Sequence, residues 1–139
     1  MRYLGLDLGS KTLGIAISDT MGVIANSYGV VRHDNDYDSL ILKIKDLVET
    51  KNIDEIVLGL PKNMNNTIGE KAKLSYEFKD KIEKELNIKV NLIDERLTTK
   101  QATDLLISND TSRKKRKKVI DSMAACIILQ SYLDMKGKN

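Results

Sequence analysis

The spacing of hydrophobic and polar residues changes period along the chain, and each change marks an element. Tyr3-Leu4-Gly5-Leu6-Asp7-Leu8-Gly9 reads as a β-strand with one carboxylate inside it. Gly9-Ser10-Lys11-Thr12 supplies turn residues and Leu13-Gly14-Ile15-Ala16-Ile17-Ser18 a second strand, which predicts an antiparallel hairpin. Met21-Gly22-Val23-Ile24-Ala25 and Ser27-Tyr28-Gly29-Val30-Val31 predict a third strand, entered through a glycine. The polar stretch from His33 to Asp38 ends in an N-cap for a helix over 39–50, where Leu40, Ile41, Ile44, Leu47 and Val48 recur at helical spacing.

Ile56-Val57-Leu58, closed by Gly59 and Pro61, is the short continuous apolar run that a parallel strand buried on both faces requires. Thr67-Ile68-Gly69-Glu70 is a capping box for a long helix reaching Leu86, with Leu74, Phe78, Ile82 and Leu86 on its apolar face. Lys89 to Glu95 predicts the last strand. Thr98-Thr99-Lys100-Gln101 opens a short helix, Asn109 to Ser112 breaks it, and a final helix over 119–135 carries Ile120, Met123, Ala124, Ile127, Ile128 and Leu133. Strand–helix–strand units in one sheet are parallel with right-handed crossovers. The predicted fold class is therefore α/β: a mixed five-stranded sheet, an antiparallel meander on one side and parallel strands on the other, flanked by helices.

The 139 residues predict a single domain over 1–139, and 41% hydrophobic with 31% charged residues exclude a disordered chain. Aromatics are only 4%, which argues against base stacking on an aromatic platform. Cys126 is the single cysteine, so neither a disulfide framework nor a cysteine-rich zinc site is expected, and a buried structural thiol is. No apolar run approaches membrane-spanning length and the N-terminus leads straight into a strand, so no membrane association and a cytoplasmic location are expected.

Three acidic positions stand out. Asp is depleted in strands, and a buried carboxylate is costly unless cations or hydrogen bonds compensate it, so Asp7 calls for partners. Asp94-Glu95 ends the last strand, and sites in α/β sheets form at the carboxyl ends of parallel strands. Asp121 shares a helix face with the small residues Ala124 and Ala125, which permit close approach to the sheet; the plain alternative is an N-cap of a helix starting at Ser122. Converging carboxylates repel unless cations lie between them, and hard oxygen ligands suit Mg²⁺ or Mn²⁺. Two such ions can stabilise both the attacking water and the leaving oxygen of a phosphodiester. Which of Asp94 and Glu95 is the ligand stays open on spacing alone, and Asp19 is a candidate further acid of the site, with a turn residue before Met21-Gly22 the preferred reading. His33 reads as a surface loop residue.

The net charge of +3 permits a polyanionic partner without demanding one. The run Arg113-Lys114-Lys115-Arg116-Lys117-Lys118 precedes Asp121 and, with Arg96 and with Lys11 in the first turn, is the candidate nucleic-acid surface. Its like charges predict a segment poorly ordered without a polyanion.

Leu6-Asp7-Leu8-Gly9 with Gly14-Ile15-Ala16, then Gly59-Leu60-Pro61, Asp94-Glu95-Arg96-Leu97-Thr98-Thr99, and Asp121-Ser122-Met123-Ala124-Ala125 with Ile128-Leu129-Gln130 together resemble the YqgF (RuvX) family, similar to the resolvase RuvC. The resemblance implies an RNase H-like fold and a metal-dependent nuclease acting in 5′-end maturation of precursor 16S rRNA. It also implies Asp7, Glu95 and Asp121 as catalytic and metal-binding acids, Mg²⁺ or Mn²⁺ as cofactor (two ions), and precursor rRNA, in a ribosomal precursor particle, as partner. Where the family carries Asp-Gly-Ser after Gly-Leu-Pro, this chain has Asn65-Asn66-Thr67. Three rivals remain: a Holliday junction resolvase acting on DNA, a non-catalytic nucleic-acid-binding module, and an ATP-binding protein of the actin and sugar-kinase type, which Asp7 to Thr12 also resembles. A monomer or weak homodimer is expected.

Overall fold

The computed structural model describes residues 1–9, 11–60, 70–94 and 113–137, and of 70–72, 94, 113–122 and 137 it describes the backbone alone. Five strands form one sheet: β1 (Tyr3–Leu8), β2 (Thr12–Ser18), β3 (Ala25–Arg32), β4 (Glu55–Leu60) and β5 (Lys89–Asp94), in spatial order β3-β2-β1-β4-β5. β1, β2 and β3 form the antiparallel meander, and β4 and β5 add in parallel beyond β1. Parallel neighbours need a crossover, supplied between β1 and β4 by α1 (Tyr37–Thr50) and between β4 and β5 by α2 (Glu70–Leu86). The last element is α3 (Arg113–Gly137).

Strand alternation divides the core in two. Leu4, Leu6, Leu13, Ile15, Ile56, Leu58 and Val90 pack on one face with Ile44 of α1 and Phe78 and Ile82 of α2. Tyr3, Ala16, Ala25 and Val57 face the other way, against Ala125, Ile128, Leu129 and Leu133 of α3. The molecule is thus three layers, with α1 and α2 on one side of the sheet and α3 on the other.

Local chemistry sets the ends of the elements. Asp36 caps α1, accepting from the Ser39 amide at 3.2 Å and the Ser39 hydroxyl at 2.9 Å. Glu83 fixes the end of α2 to β5: one carboxylate oxygen takes Lys79 at 2.8 Å and the other the Val90 amide at 3.1 Å. Gln130 of α3 accepts from the Ala25 amide at 2.8 Å and donates to the Val23 carbonyl at 3.0 Å, which ties the helix to the start of β3.

The structure corrects several expectations. β3 starts at Ala25, because Asp19 to Ile24 form a turn, and its pairing with β2 shifts between Ile15 and Ala16, leaving Tyr28 as the extra residue of a β-bulge. Leu74 is exposed, and Ser75 takes the buried position beside Phe78. α3 begins at Arg113 rather than near Val119, so the basic run forms its first turns. Lys and Arg are good helix formers, and that preference prevails over the mutual repulsion of their charges. Cys126 is only half-buried, its thiol against the Ala25 carbonyl at 3.4 Å, and burial raises its pKa. The expected helix starts at Thr67 and Thr98 lie outside the described residues. No described helix is long and apolar enough to cross a membrane.

The tightest contact between layers is at Gly5. A Cβ there would lie 2.7 Å from Leu129 Cβ and 3.1 Å from the Ala125 carbonyl oxygen. Neither atom is the free end of a flexible side chain, so the helix itself would have to move. Gly5→Ala should therefore destabilise the fold by about 1–3 kcal/mol despite the better strand propensity of alanine, read as a lowered urea midpoint with an unchanged m-value.

Candidate active site

Asp7 lies at the end of β1, the central strand, where it is half-buried and in register with Gly14 of β2. A glycine opposite leaves room beside the carboxylate. Asp7 has the parity of Tyr3 and Gly5, so it belongs to the face covered by α3. The β1–β4 register runs to Leu6↔Leu58, and the β1–β2 register continues through Asp7↔Gly14 to Leu8↔Leu13.

α3 runs antiparallel to β1 along this face. Near its end Lys136 bonds the Tyr3 hydroxyl and lies 4.9 Å over the Tyr3 ring, and Tyr132 meets that ring edge-on at 5.9 Å. Ala125 and Leu129 then press on Gly5. Two strand residues beyond Gly5 advance about 6.6 Å along the sheet. One turn back along the helix, from 125 to 121, retreats about 6 Å. The two rises match, so the backbone of Asp121 comes level with Asp7. With α3 starting at Arg113, Asp121 is two turns inside the helix and is not its N-cap. The basic run 113–118 extends the same helix beyond that level.

β5 contributes by register. Asp94 pairs with Leu60 and has the parity of Val90 and Leu92, which pack against the α1 and α2 core. Asn91 and Ile93 have the opposite parity, and Ile93 packs in the α3 core. Position 95 lies outside the described residues. So do Arg96 and the Asn65-Asn66-Thr67 departure. Lys11 is exposed in the β1–β2 turn, at the same end of the sheet as Asp7. Among the described residues no three His, Cys, Asp or Glu side chains group closely enough to hold a metal ion.

Asp19 is a turn residue at the opposite end of the sheet. One of its carboxylate oxygens accepts from the Val23 amide at 2.8 Å and the Ile24 amide at 3.0 Å. These bonds, Ile24 first, hold its pKa below the usual aspartate value. His33, expected on the surface, is buried at 5% exposure, with both ring nitrogens bonded to backbone. A lone histidine after a strand gives no sign of this in sequence. The Asp34-Asn35 pair that follows, tolerant of left-handed backbone, was the available signal, and both adopt positive φ.

The family model described as "RuvX: Holliday junction resolvase" matches residues 1–135. A protein of Bacillus subtilis strain 168, named "Putative pre-16S rRNA nuclease", is 50% identical over 135 residues, covering 96% of this chain and 98% of that protein. One of the same name from Geobacillus sp. strain WCH70 is 49% identical over 137 residues, covering 98% and 99%. Among solved structures, Thermus thermophilus RuvC in complex with a Holliday junction substrate matches with a TM-score of 0.60 at 13% identity, over 97% of this chain and 96% of that one. A ROK hexokinase from the same organism matches with a TM-score of 0.52 at 18% identity, over 73% of this chain and 38% of its own. At these identities the structural likenesses are of fold, and that fold is RNase H-like.

The Asp19 bonds carry a pH signature. A folded-state pKa below the unfolded one adds stability above the ordinary aspartate range, and this is lost as pH falls through the folded pKa. Asp19→Asn should be less stable than the wild type at neutral pH, with the two thermal unfolding temperatures converging on acidification below about pH 4. Divalent-metal affinity should not change.

Proposed function

The chain belongs to the RuvX family, and from that premise we propose that it is a metal-dependent nuclease acting on precursor 16S rRNA. The observation that carries this reading is the seating of α3 on Gly5, which brings Asp121 level with Asp7 at the end of the central strand. Asp7, Asp121 and Glu95, the last assigned by family resemblance, would hold the cation. An all-carboxylate donor set without His or Cys fits Mg²⁺ or Mn²⁺. When bound, two such ions supply Lewis acidity to the attacking water and to the departing oxygen of the phosphodiester.

The remaining residues bind and orient substrate. The helical run 113–118 puts six cations at the N-terminal end of α3, where the macrodipole is already positive. A phosphate backbone lying there relieves both. Lys11 and Arg96 are assigned to the phosphates nearer the acids. The named relatives support an rRNA substrate, with a ribosomal precursor particle as its context.

The test offers purified protein, with Mg²⁺ or Mn²⁺, RNA spanning the 5′ end of precursor 16S rRNA and, separately, a four-way DNA junction. RNA cleavage should be lost on the order of 100-fold or more in Asp7→Asn, Glu95→Gln and Asp121→Asn, but persist in Asp94→Asn. Cleavage of the junction alone would move the assignment to a resolvase. Metal-independent cleavage that survives Asp7→Asn would remove the site altogether.

Neutralising 113–118 should weaken RNA binding most at low salt. The slope of log K against log salt should become shallower by up to about 4 if all six cations contact a single strand. An unchanged slope would mean that the run is only a solvated helix end.

A further inference from the structure

On the reading of Asp7 as a metal ligand, we propose that His33 is a positioning residue that holds the end of β1, and with it Asp7, in metal-binding geometry.

His33 follows the last residue of β3, and its amide donates to the Lys11 carbonyl at 2.9 Å. The Asn35 amide donates to Nδ1 at 2.9 Å. An amide can only donate, so Nδ1 presents a lone pair and the proton of the neutral ring is on Nε2. Nε2 then donates to the Gly9 carbonyl at 2.9 Å. The imidazole is a two-ended strut, with one end in the turn after β3 and the other two residues beyond Asp7.

The strut has a rigid base. The His33 carbonyl accepts from the amide of Asp36, the α1 N-cap, at 2.8 Å. Its ring lies 5.4 Å from that of Tyr37, which lies 5.9 Å from Phe78 of α2. Asp34 at φ 46° and Asn35 at φ 67° take left-handed backbone to aim the Asn35 amide at the ring. At the other end the β1–β4 register reaches Leu6↔Leu58, and past Leu8↔Leu13 the Gly9 amide bonds the Thr12 carbonyl at 2.8 Å across the β1–β2 turn. Residue 33 adds two more, to the carbonyls of Lys11 and Gly9. A hydrocarbon of similar size would fill the space and leave the Gly9 carbonyl unheld.

Two near-isosteric variants separate the ends of the strut. His33→Gln can place an N–H donor near the Nε2 position and keep Gly9. His33→Asn can place an acceptor at the Nδ1 position and keep Asn35, but it cannot reach Gly9. Mn²⁺ affinity is measured calorimetrically on the full chain without nucleic acid, beside thermal unfolding. His33→Asn should bind Mn²⁺ 10- to 100-fold more weakly, the usual range for the loss of a residue that orients a ligand, while His33→Gln stays within about threefold of the wild type. The unfolding temperatures should not follow that order. Equal affinities in the two variants, or losses that track stability, would overturn the positioning role alone. A wild type that binds no Mn²⁺, or Asp7→Asn binding it as tightly as the wild type, would overturn the metal site and this inference with it.

Discussion

The seating of α3 on the sheet depends on one missing carbon atom. Where β1 passes under α3 the strand has no side chain, and the Leu129 side chain and the Ala125 carbonyl of the helix crowd the space a Cβ would take. That contact fixes the height of the helix over the sheet and, through Tyr3, Tyr132 and Lys136, its register along β1. Because one helical turn and two strand residues advance by nearly the same distance, register at Gly5 becomes register at Asp7. The small residues at 124 and 125 serve the same approach from the helix side, both fully buried. One turn before Ala125, the helix backbone at Asp121 comes level with Asp7.

Most of the architecture was legible because hydrophobic period and turn chemistry agree. The apolar run at Ile56 to Leu58 has to be buried on both faces, which fixes β4 as a parallel strand inside the sheet, and the short connections between the first three strands leave little alternative to a meander. What was misread depends on tertiary context. Asn109 to Ser112 and six like charges look like a break, yet the helix backbone is in place from Arg113, so Asp121 is an interior residue. Leu74 has the spacing of a core residue but falls at the rim of α2, where Ser75 turns inward instead. The bulge at Tyr28 is set by strand pairing, which no local pattern announces. For the acids, spacing narrowed the choice to three regions. Asp94 has the parity of Val90 and Leu92, the face away from Asp7, and that can be read only once Ile93 is seen to pack with α3.

Acid and base are segregated along a single helix. The cationic turns of α3 come first and Asp121 follows them in the same helix. Cations placed at a helix N-terminus are disfavoured by the macrodipole. Their mutual repulsion costs least when something negative lies alongside, which is the electrostatic reason for proposing this segment as the contact for a polyanion. Asp7 at the end of β1, Lys11 in the β1–β2 turn and the first turns of α3 lie toward one end of the sheet.

β3 is the exposed margin of that sheet, and an edge strand is an open template for another chain. The extra residue at Tyr28 changes this. It breaks the regular spacing of unpaired amides and carbonyls midway along the strand, and increases the local twist, so a second flat strand could match one half of the margin but not both. Tyr28 and Val30 can therefore stay solvent-facing without making the sheet self-adhesive. The same irregularity that defeats a sequence-based reading of β3 makes its margin a poorer template for a second strand.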